Sequence, residues 1–171
     1  MWVGSAGIIE VLAGVALVDA TPALRTPGEM DAARVLFLIG SRTATTREQI
    51  ADFGQCAIVE TLDAGAVALV AIGGETQSDE RLVRTAFITA TAPLLRDRTG
   101  LTVVLSGGAI ARTFCDGVGT VGLEPFDEVG AATPRSRAIG APLWIVTKSG
   151  GFGTLHAYRE VLASMRERMT A

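Results

Sequence analysis

A strand, a glycine turn and a helix follow one another three times along this chain, and that alternation constrains the fold more than any other feature. The first unit runs from Arg34 to Ile39 (RVLFLI), breaks at Gly40-Ser41 and continues as a helix over Thr45 to Phe53. Thr45 or Thr46 is its predicted N-cap, with Glu48 in the first turn. The second is Leu101 to Leu105 (LTVVL), then Ser106-Gly107-Gly108, then a helix over 109–116. The third is Leu143 to Thr147 (LWIVT), then Lys148-Ser149-Gly150-Gly151-Phe152-Gly153, then a helix from Thr154 to about Met169. Short continuous apolar runs are what strands buried on both faces require. Their alternation with helices implies parallel pairing through right-handed crossovers. The predicted class is therefore α/β: a three-layer sandwich with a mainly parallel sheet and helices on both faces. The strands ending at Ile39, Leu105 and Thr147 should be innermost.

The remaining segments read less sharply. Residues 5–18 read as a helix and Thr21 to Asp31 as a loop around Pro22, Pro27 and Gly28. Apolar runs at Cys56 to Val59 and Ala66 to Ile72 flank a polar turn at Asp63, and a long helical stretch covers 79–98 before Gly100. A weaker strand is expected within 121–129, followed by a polar loop with Pro134, Arg135 and Arg137. No repeat or linker divides the sequence, so residues 1–171 are expected to form a single nucleotide-binding domain of ordinary size.

Composition removes several function classes. The formal charge is -3 with acids and bases interspersed, which argues against a basic face for nucleic acid. One histidine and two cysteines without a C-x-x-C pair give no zinc constellation, and Cys56 and Cys115 read as buried reduced thiols. The apolar start resembles a signal peptide only superficially: it lacks a basic n-region, carries Glu10, and falls short of the roughly 20 apolar residues of a membrane span. A cytoplasmic protein with no membrane association is the expectation.

In open α/β sheets ligands collect outside the carboxyl ends of the strands. The three glycine turns, 40–46, 106–108 and 148–153, fall at that edge. Glycine lets backbone amides approach an anion, and each turn precedes a helix N-terminus that favours phosphate. Lys148 adds a charge beside the last turn. Other signals are weaker. Residues 117–122 (GVGTVG) match G-x-G-x-x-G, but they follow a helix and lead into a strand, the reverse of the dinucleotide context. A helix C-cap and turn is the simpler reading. There is no Walker A pattern and no G-x-S-x-G elbow. His156 reads as a surface or hydrogen-bonded histidine, and Asp63, Glu75 and Asp116 as turn or surface carboxylates.

These motifs together resemble the C-terminal nucleotide-binding domain of the four-carbon acid sugar kinases, which act on threonate, erythronate or 3-oxotetronate. The likeness opens at VGSAGIIEVLA (3–13) and continues in G-S-x-[ST]-x-x-T-x-x-Q, matched by Gly40, Ser41, Thr43, Thr46 and Gln49. It then takes in the Gly107-Gly108 turn and K-[SA]-G-G-F-G, matched from Lys148 to Gly153. The resemblance implies ATP binding through Gly40, Ser41, Thr43, Gly107, Gly108, Ala109, Lys148, Ser149, Gly150, Gly151 and Gly153. Phosphoryl transfer relies on positioning and charge neutralisation, so Mg2+ is implied with the nucleotide. The sequence departs from the family at GGAIAR (107–112) and at AATPRSRA (131–138).

The resemblance further implies that the acid sugar site, and the base acting on the substrate hydroxyl, lie in an acid sugar-binding domain or subunit outside these residues. The isolated chain is then expected to bind ATP or ADP but to be inactive alone. Apolar residues 8–18 point to a partner surface, filled by that domain or by a second copy in a homodimer. Two other classes stay open: a non-catalytic nucleotide-binding or assembly module derived from the kinase domain, favoured by the two departures, and a dinucleotide-dependent oxidoreductase resting on GVGTVG.

Overall fold

A computed structural model describes residues 34–54, 67–72, 85, 87–89, 91–95, 98 and 100–167. The expected helix at 5–18, the loop at 21–31, the run at 56–59, and Asp63, Glu75 and Cys56 lie outside the described residues.

Among the described residues the elements are β1 (Arg34–Ile39), α1 (Ala44–Phe53), β2 (Val67–Ala71), a 3₁₀ turn (Ala92–Leu95), β3 (Leu101–Ser106), α2 (Gly108–Val118), β4 (Gly122–Glu128), β5 (Pro134–Ile139), β6 (Trp144–Lys148) and α3 (Ala157–Glu167). One six-stranded sheet has the order β2-β1-β3-β6-β5-β4. Pairing is parallel from β2 to β6, with Ile39 beside Ser106 and Ser106 beside Lys148. It turns antiparallel at β6–β5 and β5–β4.

The side-chain period of two explains why the apolar runs are continuous. Leu36, Leu38, Val103, Leu105 and Ile145 point to one face and pack with Phe114 of α2 and with Leu94 and Leu95. Val35, Phe37, Ile39, Val104 and Val146 point to the other, under Ile50 and Phe53 of α1 and Tyr158, Val161 and Met165 of α3. Helices on both faces of a mostly parallel sheet make the three-layer α/β sandwich expected from the sequence, with β1, β3 and β6 inside.

Three expectations need correction. Residues 134–139 are not a polar loop: they form β5, an inner strand between β6 and β4. Arg135 is fully buried there, because its guanidinium meets Asp127 across the β4–β5 pair and lies 5.4 Å from the Phe126 ring centroid. Its charge is also stacked 5.6 Å from the Trp144 ring, so burial leaves it compensated. The cap of α1 is Thr43, not Thr45 or Thr46: the Thr43 Oγ1 accepts from the Thr46 amide at 3.2 Å. The last helix begins at Ala157 rather than Thr154.

Candidate nucleotide site

The site is built where the strand order reverses direction. After β1 the chain goes to β2 on one side, whereas β3 is followed in the sheet by β6 on the other. The crevice outside the carboxyl ends of β1 and β3 is thus the topological switch point, the usual ligand position in such sheets. The three glycine turns do meet there. The Gly40 and Ser41 amides donate to the Ser106 carbonyl at 2.9 and 3.3 Å, and the Gly107 amide donates to the Lys148 carbonyl at 2.9 Å. These bonds fix the turns to one another, and they also remove three expected phosphate donors from service.

Segment 40–49 acts as a support. A Cβ on Gly40 would lie 2.6 Å from the Ile110 Cβ, so only glycine lets β1 end against α2. A Cβ on Gly150 would lie 2.2 Å from the Ser41 Cβ, so the third turn rests directly on Ser41. Thr46 and Gln49, three residues apart on α1, turn inward and are fully buried. The Thr46 hydroxyl donates to the Gly150 carbonyl at 2.6 Å. Having spent its proton there, it accepts from the Ser41 and Thr43 hydroxyls, each 2.8 Å away. The Gln49 Nε2 reaches the carbonyls of Phe152, Gly153 and Thr154 at 3.1, 3.4 and 2.8 Å.

Lys148 is only 5% exposed. It shares its face of β6 with Val146, so its ammonium lies beneath the turn, between α1 and α3. There it donates to the Gln49 Oε1 at 3.0 Å and to the Ser149 carbonyl at 3.1 Å, and it sits 5.1 Å from the Tyr158 ring centroid. Tyr158 in turn donates to the Ser106 Oγ at 2.9 Å. Among the described residues no carboxylate pairs with Lys148, and burial pulls its pKa below the usual 10.5. The folded chain therefore holds this proton less tightly than the unfolded chain, which binds more protons in the window just beneath 10.5. Lys148 should thus make stability rise with pH across that window. Chemical denaturation of the wild type against Lys148→Met, measured from pH 7 to 10, should show the wild type gaining relative to the variant. Burial pushes the Tyr158 phenol the opposite way, but that group is common to both proteins. A difference flat in pH would contradict the burial of a charged lysine.

On the α2 side of the crevice lies a cavity of about 330 Å³. Leu105, Gly107, Gly108, Ala111, Thr147, Lys148 and Ser149 line it, together with Ala132 from the turn between β4 and β5 and Pro134 at the start of β5. Gly107 holds φ +108 as the N-cap of α2 and makes no side-chain cap bond. The first-turn amides of α2 therefore lack an intrahelical acceptor, the arrangement that favours an anion. A Cβ on Gly108 would meet nothing within 4 Å, so packing gives no reason for a glycine at that position.

Of the residues expected at the site, Gly107, Gly108, Lys148 and Ser149 line this cavity. Ala109 is exposed on the first turn of α2. Gly40 packs against Ile110 of α2, Thr43 caps α1, Gly150 rests on Ser41, Gly151 is open to solvent, and Gly153 turns the chain with φ +94. Sequence reasoning missed Ala111, Thr147, Ala132 and Pro134. The hairpin pair was concealed in the segment read as a loop, although both departures from the family pattern, GGAIAR and AATPRSRA, prove to border one cavity. Among the described residues the lining contains no carboxylate, and no group of three His, Cys, Asp or Glu is placed to hold a metal.

The weaker signals resolve simply. GVGTVG is the end of α2, with Gly119 in the left-handed conformation as C-cap. The His156 Nδ1 lies 3.1 Å from the Asp52 Oδ1, and Arg159 holds the other oxygen at 2.8 Å. The His156 hydrogen bond, aided by Arg159, keeps the Asp52 pKa below its usual value. Asp116 pairs with Arg112 on the solvent face of α2. Cys115 is a free, half-buried thiol whose pKa burial raises. Among the described residues no helix is long and apolar enough to cross a membrane.

This is an open, doubly wound α/β domain that brings glycine turns and an uncapped helix to one cavity. Residues 55–157 match the family described as the nucleotide-binding C-terminal domain, and the chain belongs to that family. A Bordetella bronchiseptica protein containing a domain of unknown function, DUF1537, solved with bound citrate as a domain-swapped dimer, is 24% identical with a TM-score of 0.63. That match covers 80% of this chain and 40% of the other. A Haemophilus influenzae DUF1537 protein is 16% identical with a TM-score of 0.61, over 81% of this chain and 40% of that one. At such identities the likeness concerns the fold, and this chain spans about 40% of either structure's length. No curated protein matches the chain.

Proposed function

We propose that this chain is the ATP-binding part of a kinase that phosphorylates a hydroxyl of a four-carbon sugar acid such as threonate, erythronate or 3-oxotetronate. The observation that carries the reading is the cavity that the second and third glycine turns share, lined by Gly107, Gly108, Lys148 and Ser149, where α2 begins without a side-chain cap. Family membership and the motif at 148–153 support the nucleotide, and the resemblance supports the sugar acid. The acid-binding site and the base for its hydroxyl would come from another domain or subunit. Magnesium would arrive with the triphosphate; among the described residues the cavity lining holds no carboxylate. The single domain over 1–171, the cytosolic location and a homodimer belong to the same reading.

A second reading has its own observation. Both departures from the family pattern contribute to the cavity wall, through Ala111, Ala132 and Pro134. A module that binds a nucleotide without transferring its phosphate is consistent with that wall.

Calorimetry and a melting screen with ATP, ADP, NAD and NADP test the proposal. ATP or ADP should bind and raise the melting temperature, while the dinucleotides should not. At a hundredfold excess over Kd the added stability is about 2.7 kcal/mol, or roughly 5–10 °C for a domain of this size. No binding at millimolar ATP would dismiss the kinase reading. Binding without phosphorylation of any four-carbon acid, even after an acid sugar domain is supplied, would favour the second reading.

A further inference from the structure

The side chains beneath the third turn do something that none of the expected contacts describes. Five carbonyls between Ser149 and Thr154 are drawn toward buried side chains of α1 and β6. Lys148 takes Ser149, Thr46 takes Gly150, and Gln49 takes Phe152, Gly153 and Thr154. The chain contains no cis peptide among the described residues. In a planar trans peptide the carbonyl and the following amide point in opposite directions. Each carbonyl pulled inward therefore turns the next amide outward. The Gly151, Gly153, Thr154 and Leu155 amides face away from α1, on residues that are exposed, and among the described residues none of them has an acceptor. A run of outward amides is a concavity for an anion.

We propose that Gln49 is a positioning residue for the nucleotide phosphates: from inside the fold, without touching the ligand, it aims the amides of residues 153–155. Thr46 does the same for Gly151. This inference rests on the nucleotide-binding reading. Gln49 is suited to the task because a single amide group reaches three carbonyls with its two N–H bonds, one of them shared, while its oxygen accepts from Lys148, and it is fully buried. A glutamine that merely satisfied stray carbonyls would leave its loop able to bind phosphate in its absence. A glutamine that sets the direction of the peptides would not.

The experiment uses the full chain, with ATP and inorganic triphosphate as probes, read by calorimetry and by hydrogen exchange over residues 149–156. In the wild type, ATP should slow exchange across that segment. Gln49→Met, close in shape but without the amide, should weaken ATP and triphosphate by at least about tenfold, the loss of one or two amide–phosphate hydrogen bonds. It should also abolish the protection by ATP. Gln49→Glu keeps the acceptor for Lys148 but sets a carboxylate against three carbonyls, so it should not rescue binding. Should Gln49→Met fail to fold, Thr46→Val and the wild-type exchange map decide. Thr46→Val should weaken ATP and remove protection at Gly151. Unchanged ATP affinity in the folded variant, or ATP bound by the wild type without protection of 149–156, overturns the inference alone. A wild type that binds no ATP overturns it together with the nucleotide reading.

Discussion

Gly108→Leu is expected to weaken ATP about a hundredfold, ~2.8 kcal/mol at 1.4 kcal/mol per tenfold, while leaving the melting temperature unchanged or higher. Gly108 is the first residue of α2, its backbone is not in the positive-φ region, and a Cβ there meets no atom within 4 Å. Replacing a helical glycine by a better helix former adds roughly 0.5–1 kcal/mol to stability. The new side chain nevertheless springs from a residue that lines the cavity with Gly107, Thr147 and Ser149, and it is expected to crowd a ligand there. Calorimetry with ATP, paired with a thermal melt, separates the two effects. Full ATP affinity in a stable Gly108→Leu protein would mean that the nucleotide sits elsewhere.

Gly150→Ala should have the opposite signature, a large loss of stability. The added Cβ would lie 2.2 Å from both the Ser41 Cβ and its Oγ, a distance at which the backbone must move. Overpacking of that kind costs about 1–3 kcal/mol. Displacing the turn also weakens the bond from Thr46 to the Gly150 carbonyl, worth about 1 kcal/mol. Together these lower the melting temperature by roughly 5–15 °C for a domain of this size. The contact itself can be checked by a double-mutant cycle. In a Ser41→Gly background the colliding atoms are gone, and Gly150→Ala should cost at least about 1 kcal/mol less. Additive losses would show that Ser41 is not what the third turn rests on.

The parallel half of the fold was legible because its strands are buried on both faces, which leaves an unmistakable run of Val, Leu and Ile bounded by glycine. β5 was not. Its sequence, PRSRAI, carries a proline and two arginines, and the reasons it is nonetheless a strand lie elsewhere in the chain. Pro134 is tolerated as the first residue of a strand. Arg135 is neutralised by Asp127 and stacked near Phe126 and Trp144, partners that only the folded sheet assembles.

The site divides in the same way. That three glycine turns share an edge follows from strand order alone. Which amides remain for a ligand does not, since Gly40, Ser41 and Gly107 give theirs to neighbouring turns. Lys148 was read as a charge beside the phosphates, yet the alternation along β6 places it with Val146, on the face that α1 and α3 cover. That fact was available in the sequence. The hydroxyls of Ser41 and Thr43 serve the end of α1, a role that depends on Gly150 arriving from about a hundred residues away, as the separation of 104 between Thr46 and Gly150 shows.

The reversal of β5 has a consequence for how such a domain can diversify. Because β5 runs against β6, the bend over residues 129–133 returns to the rim where β1, β3 and β6 terminate. Val129 anchors its start in the core beneath α3, whereas Ala131 and Ala132 at its tip are exposed. The chemistry of that exposed tip can drift without disturbing the parallel ladder, so a domain on this scaffold can reshape one wall of the cavity while keeping the rest.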